Sequence, residues 1–252
     1  MVLRILTIIL FSALAVSAAE LCMKCHEPHY TEMGSCTACH RGNPDTSRKN
    51  IAHDGLISGR FADFITNGKG INNGKDLTEK AACRRCHTLG ETGNNASSNL
   101  DIEAKRKTGA FLLNKINEPN DYMPRFGFDN NDAEDIVRYI LNSGEASNVE
   151  PESRPFVVFI NSGDEGVFSK KCGGCHRLLT REKGGMGDGD TAPNLSGLFT
   201  EFYPDNTLPR HEKWDNETLL KWVKNPRLLD KGSMMPPLKL SDDEKKKLPG
   251  EF

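Results

Sequence analysis

All eight cysteines of this chain fall into four copies of one pattern, C-x-x-C-H. The copies are Cys22-Met23-Lys24-Cys25-His26, Cys36-Thr37-Ala38-Cys39-His40, Cys83-Arg84-Arg85-Cys86-His87 and Cys172-Gly173-Gly174-Cys175-His176. This is the attachment signature of c-type haem. Two thiols add across the two vinyl groups of one porphyrin. The two-residue gap lets one turn of helix present both sulfurs along one edge. The next residue then lies under the iron, where a histidine donates a ring nitrogen. A disulfide framework has no need of histidine after every second cysteine, and a zinc site would space its second pair differently. The pattern therefore predicts four covalently bound haem c groups, with His26, His40, His87 and His176 as proximal ligands. Every thiol is then consumed, and no disulfide is expected.

That reading explains a lean composition. Hydrophobic residues are 37% of the 252, and the first nineteen residues hold a disproportionate share of them. What remains is thin for a globular core. Four large apolar macrocycles replace the missing side chains. The expected architecture is mainly α, in small haem-packed helical modules with long irregular loops. Lysine plus arginine number 33 against 35 acidic residues, for a net charge of −2. A chain without a basic footprint is not a nucleic-acid binder.

Residues 1–19, MVLRILTIILFSALAVSAA, read as a secretory signal peptide. Arg4 forms the positive segment, residues 5–16 the apolar run, and Val16-Ser17-Ala18 or Ser17-Ala18-Ala19 the small-residue cleavage site. The apolar run is shorter than the ~20 residues of a spanning helix. A retained anchor is the alternative. Export agrees with covalent haem attachment, and the expected compartment is the periplasm, with membrane association only through a partner.

The four motifs are unevenly spread. Residues 20–57 hold two of them and form a dihaem head. Residues 58–145 and 156–252 hold one each, and the polar stretch 146–155 reads as a linker. Asn67–Gly74 and Gly184–Asp190 are glycine-rich and read as turns. An amphipathic stripe of Ala133, Ile136, Val137, Ile140 and Leu141 predicts a helix over 131–143, with Asn131 and Glu134 as a capping box. Leu219, Leu220, Trp222 and Val223 predict a second helix, stopped by Pro226. Ser241-Asp242-Asp243-Glu244 starts a third, ended by Pro249.

Two segments resemble the sixth-ligand loop of class I monohaem cytochromes c. One is Asn117-Glu118-Pro119-Asn120-Asp121-Tyr122-Met123-Pro124. The other runs from Lys224-Asn225-Pro226 through Gly232-Ser233-Met234-Met235-Pro236-Pro237. In that family a helix ends in Asn-Pro, a loop delivers methionine just before proline, and a last helix follows. The resemblance implies two cytochrome c-like domains, with Met123 as partner of His87 and Met235, rather than Met234, as partner of His176. Gly166-Val167-Phe168 resembles the family's haem-contacting first helix. Ala192-Pro193-Asn194-Leu195 resembles its loop near a propionate, and Trp222 is expected beside the haem. The last helix is shorter than the family's, which normally braces the first helix.

The head resembles the short-spaced motifs of multihaem cytochromes, where a histidine from one segment caps a neighbouring haem. His29 follows His26 too closely for both to reach opposite faces of one iron. The resemblance then implies that His29 caps the second haem and His53 the first. His211, in a charged loop, is read as solvent-exposed. The motifs and resemblances together imply eight ligands for four irons, the set expected of a tetrahaem cytochrome c, which favours an electron carrier over an enzyme. Its partners would be a redox donor and acceptor. A soluble shuttle and the cytochrome subunit of a quinol-oxidising membrane complex both fit. The alternative is a haem enzyme of peroxidase or sulfur-compound oxidase type with one open or labile iron.

Overall fold

A helix rich in glycine is a poor helix on propensity alone, and yet Gly68–Lys80 is helical along its whole length. It belongs to a computed structural model that describes residues 19–28, 35–57, 61, 63–64, 67–120, 122–149, 166–204, 208 and 213–252. Residues 1–18, His29, His211 and the apolar run at 156–160 lie outside the described residues. Among the described residues, no helix is long and apolar enough to cross a membrane. The chain divides into two units, Met1–Ile57 and Ser58–Phe252.

The first unit is built on short helical turns: α1 (Ala19–Cys22), α2 (Cys36–His40) and α3 (Lys49–Ala52). Gly42, at φ +85°, folds the chain after α2 back against α3. A side chain there would meet the Ala52 carbonyl, and that carbonyl accepts from the Asn43 N–H at 2.9 Å.

In the second unit, α4 (Gly68–Lys80), α5 (Leu100–Arg106), α6 (Gly109–Asn117) and α7 (Asn130–Ala146) form one helical group, with a small hairpin of β1 (Thr88–Leu89) and β2 (Thr92–Gly93). The stripe Ala133, Ile136, Val137, Ile140 and Leu141 lies on α7 and is buried, as its spacing predicts. Two expectations need correction here. Asn67–Gly74 is not a turn: Asn67 caps α4, accepting from the Gly70 N–H at 3.0 Å, and the rest of the stretch is helix. The reason lies across the packing interface. An ideal Cβ on Gly74 would sit 2.0 Å from the Asp135 carbonyl oxygen, and one on Gly70 would sit 2.7 Å from the Asp135 carboxylate. The glycines let two helix backbones touch, and burial against α7 outweighs their weak propensity. The second correction is the cap of α7. It is Asp129, which accepts from the Asp132 N–H at 2.8 Å, two residues before Asn131. Glu134 instead pairs with Arg138 at 3.5 Å.

Beyond α7, Lys105 Nζ donates to the Ser147 and Val149 carbonyls at 2.7 and 2.9 Å, tying this stretch back to α5. Among the described residues, the later elements are α8 (Val167–Lys171), a hairpin of β3 (Leu178–Thr180) and β4 (Gly184–Met186), α9 (Asn216–Lys224), a 3₁₀ turn over Pro226–Leu228, and α10 (Asp242–Lys247), continued by a 3₁₀ turn over Leu248–Glu251. Of the predicted turn Gly184–Asp190, the first three residues are strand. Ser241 and Glu244 form a reciprocal capping box on α10. Val167, Phe168, Leu178, Leu198, Leu219, Val223 and Leu248 make the core. α10 is short; its Glu244 pairs with Lys171 of α8 at 3.5 Å, and the residues that follow it complete the brace. The Glu251 carboxylate accepts from the Val167 and Phe168 N–H groups at 2.8 and 2.7 Å, and the Phe252 ring meets Phe168 edge-on at 5.7 Å.

Candidate haem sites

Each described motif closes one turn of helix. His26, His87 and His176 donate their N–H to the carbonyls of Cys22, Cys83 and Cys172 at 3.2, 3.0 and 2.9 Å. Cys36–His40 is itself α2. The same local geometry therefore recurs in every motif, and it presents the cysteines and histidine of each on one turn. Cys22, Cys25, Cys36, Cys83, Cys86, Cys172 and Cys175 are free thiols; the Cys39 side chain lies outside the described residues. Burial pushes Cys83 up to about 11, with the neighbouring Cys86 adding to it. Burial also pushes Cys172 up to about 11, with Glu251 and Cys175 adding to it.

The histidines are oriented from behind. Nδ1 of His40 lies 3.1 Å from the Ile57 carbonyl, Nδ1 of His87 lies 2.8 Å from the Ser98 carbonyl, and Nδ1 of His176 lies 2.7 Å from the Pro193 carbonyl. A carbonyl can only accept, so Nδ1 carries the proton, and in a neutral ring Nε2 is then the nitrogen that donates to a metal. That is how metal-ligating histidines are fixed in tautomer and direction. Burial pushes His87 below its ordinary value, and the Ser98 carbonyl opposes this only in part. The ring therefore stays neutral and able to donate. Ile57 and Ser98 carry no sequence signal for this role, because a main-chain oxygen is not specified by residue type. Pro193 lies in a segment singled out by resemblance.

The candidate sixth ligands fall into three groups. In the first unit the His53 ring lies near the His26 ring, with centroids 5.9 Å apart and planes at 47°. The two rings are near enough that both could hold one metal. In the second unit, Met123 is half-buried on a turn closed by its N–H to the Asn120 carbonyl at 2.9 Å. It lines a cavity of about 600 Å³ together with Arg125, Arg177, Asp190 and Asn194. Met235 packs on the last core, and its Sδ accepts from Trp222 Nε1 at 3.1 Å. Met234, beside it, is 89% exposed. The placement of His29 lies outside the described residues.

The donor set fits haem c: paired thiols and a histidine on one turn, with Nδ1 tied off on a carbonyl at three of the sites. Residues 70–140 match the family model described as Cytochrome C oxidase, cbb3-type, subunit III. That match supports a c-type cytochrome domain in this chain. It runs from α4 to the inward stripe of α7, and contains the third motif and Met123. No solved structure matches the chain. The matched domain implies covalent haem c, with iron, in a mainly α fold, and it implies electron transfer with redox partners.

Proposed function

We propose that this chain is a periplasmic tetrahaem cytochrome c that relays electrons between a donor and an acceptor of a respiratory chain. The observation that carries this reading is the shared orientation of His40, His87 and His176, each with Nδ1 on a main-chain carbonyl. It extends the chemistry of the matched domain to motifs on either side of it. Bound haem supplies a one-electron iron centre whose potential depends on its axial ligands. The chain supplies those ligands: His26 with His53, His40 with His29, His87 with Met123, and His176 with Met235. The 5.9 Å approach of the His26 and His53 rings supports the first pair. The Trp222 contact to Met235 and the exposure of Met234 support the last. A filled set of ligands favours electron transfer over substrate activation. The proposed layout is the dihaem head, two cytochrome c-like modules and the exported compartment argued from the sequence. Docking of the chain on a quinol-oxidising membrane complex is one form this role takes.

Mass spectrometry of the mature protein is expected to show a chain beginning at Ala19 or Glu20 with four haem adducts. Three adducts, or a retained Met1, would contradict the proposal. A redox titration should resolve a low-potential pair and a high-potential pair, since methionine favours ferrous iron relative to a second imidazole. Met235→Leu should abolish the methionine charge-transfer absorption of the last haem, and Met234→Leu should leave it nearly intact. The reverse result would place the ligand one residue earlier.

A further inference from the structure

The loop after the fourth motif touches the ligand shells of two haem sites. Pro193 accepts from His176 Nδ1 through its carbonyl at 2.7 Å. The next residue, Asn194, points into the neighbouring module. Its Nδ2 donates to the Tyr122 carbonyl at 2.9 Å, one peptide before Met123. Its own carbonyl accepts from Arg85 Nη1 at 3.2 Å, inside the third motif. The amide orientation is fixed at both ends, because Oδ1 accepts from the Ser196 N–H at 3.0 Å while Nδ2 faces a carbonyl. The contact is part of a packed seam. An ideal Cβ on Gly185 would lie 2.2 Å from the Tyr122 ring, and one on Gly197 would lie 2.5 Å from the Arg85 carbonyl. The Arg85 guanidinium lies over the Tyr203 ring at 5.7 Å.

We infer that Asn194 is a positioning residue for the methionine side of the third haem site, supplied by the module that carries the fourth. Met123 sits on a loop between α6 and α7, on a turn closed by its N–H to the Asn120 carbonyl, and Asn120 Oδ1 accepts from Lys115 Nζ at 3.2 Å. The Asn194 amide adds the restraint that turns Tyr122, and with it the Met123 backbone, toward the cavity they line. The result is a bonded path between the two ligand shells. It runs from Met123 through the Tyr122 carbonyl, the Asn194 side chain and the Pro193 carbonyl to His176. Ligation strength at the third site therefore depends on the fourth module being folded and docked.

This inference rests on the reading of Met123 as an iron ligand, and the test separates the two. In the full-length holoprotein, Met123→Leu is expected to remove one of two methionine charge-transfer components; no change there defeats the ligand reading. Asn194→Asp keeps the acceptor for Ser196 and replaces the donor with a carboxylate oxygen facing the Tyr122 carbonyl. It should cut the same component at least twofold and lower the midpoint potential of that haem, with the fourth haem unmoved. Asn194→Ser, which keeps a small turn-forming side chain but loses the reach to Tyr122, should do the same. Tyr203→Leu loosens the seam and removes the hydroxyl contact to the Asn194 main-chain carbonyl at 3.5 Å, but keeps the side-chain amide bond to Tyr122, and should leave the component in place. If Met123→Leu removes the component while both Asn194 variants, loaded with four haems, retain it at full strength and unshifted potential, the role of Asn194 is overturned. Equal loss in Tyr203→Leu would also overturn it, in favour of general docking.

Discussion

Gly74→Val is expected to destabilise the second unit by about 3–5 kcal/mol, lowering its melting temperature by roughly 10 °C. Overpacking usually strains a side chain that can rotate away. Here the obstacle is main chain: the first atom added to Gly74 would lie 2.0 Å from the Asp135 carbonyl oxygen and 2.5 Å from its carbon. Only separation of α4 from α7 relieves that, and separation breaks the bonds from Asn73 Nδ2 to the Asp132 and Asp135 carboxylates. Gly68→Ala is the control. Gly68 opens the same helix, and a methyl group added there would meet nothing within 4 Å. Alanine at this position should be neutral or stabilising by a few tenths of a kcal/mol to about 1 kcal/mol. Thermal melts of the holoprotein followed by circular dichroism check both. Equal melting temperatures for Gly74→Val and the parent would show that the two helices do not cross at this glycine.

Glu251→Ala should destabilise the unit by about 3 kcal/mol, through the last core rather than through α4 and α7. Glu251 is 5% exposed, and its two oxygens take the N–H groups of Val167 and Phe168. Both donors belong to the first turn of α8, where no carbonyl of the helix can serve them. Alanine leaves two buried donors without partners, each a desolvation penalty rather than only a lost bond. Glutamine retains one acceptor oxygen and should lose about half as much. Denaturant titration distinguishes the two variants. A Glu251→Ala protein as stable as the parent would mean that α8 is capped by water, and that Phe252 on Phe168 is a sufficient brace.

The local geometry of the candidate sites was legible because the C-x-x-C-H pattern is local. Two thiols and a histidine at fixed spacing must occupy one turn to serve one porphyrin, so the sequence states the turn, and the structure has it at every motif. The inward stripe of α7 was legible for a similar reason: apolar spacing maps directly onto one face of a helix. Near neighbours along the chain carry such signals intact.

What lies behind each histidine was not legible. The acceptors on Ile57, Ser98 and Pro193 are main-chain oxygens, which every residue possesses, and folding alone selects which of them meets an imidazole. Asn194 stands in a segment that resembles a loop near a propionate, and its amide meets the Tyr122 carbonyl, 2.9 Å away, only through folding. The capping error at α7 has the same origin on a smaller scale. Asn131 and Glu134 satisfy a spacing rule, but Glu134 is drawn to Arg138, which leaves Asp129 to cap. The glycines of α4 show the conflict most plainly. Their intrinsic preference is for a turn, whereas the unit requires two backbones in contact, and only a residue without a side chain allows it. Sequence by itself determined where the helical turn of each C-x-x-C-H motif begins and which face of α7 turns inward. Tertiary structure decided which helices touch, which carbonyls meet the imidazoles, and which carbonyl the Asn194 amide meets, because those depend on atoms far apart along the chain.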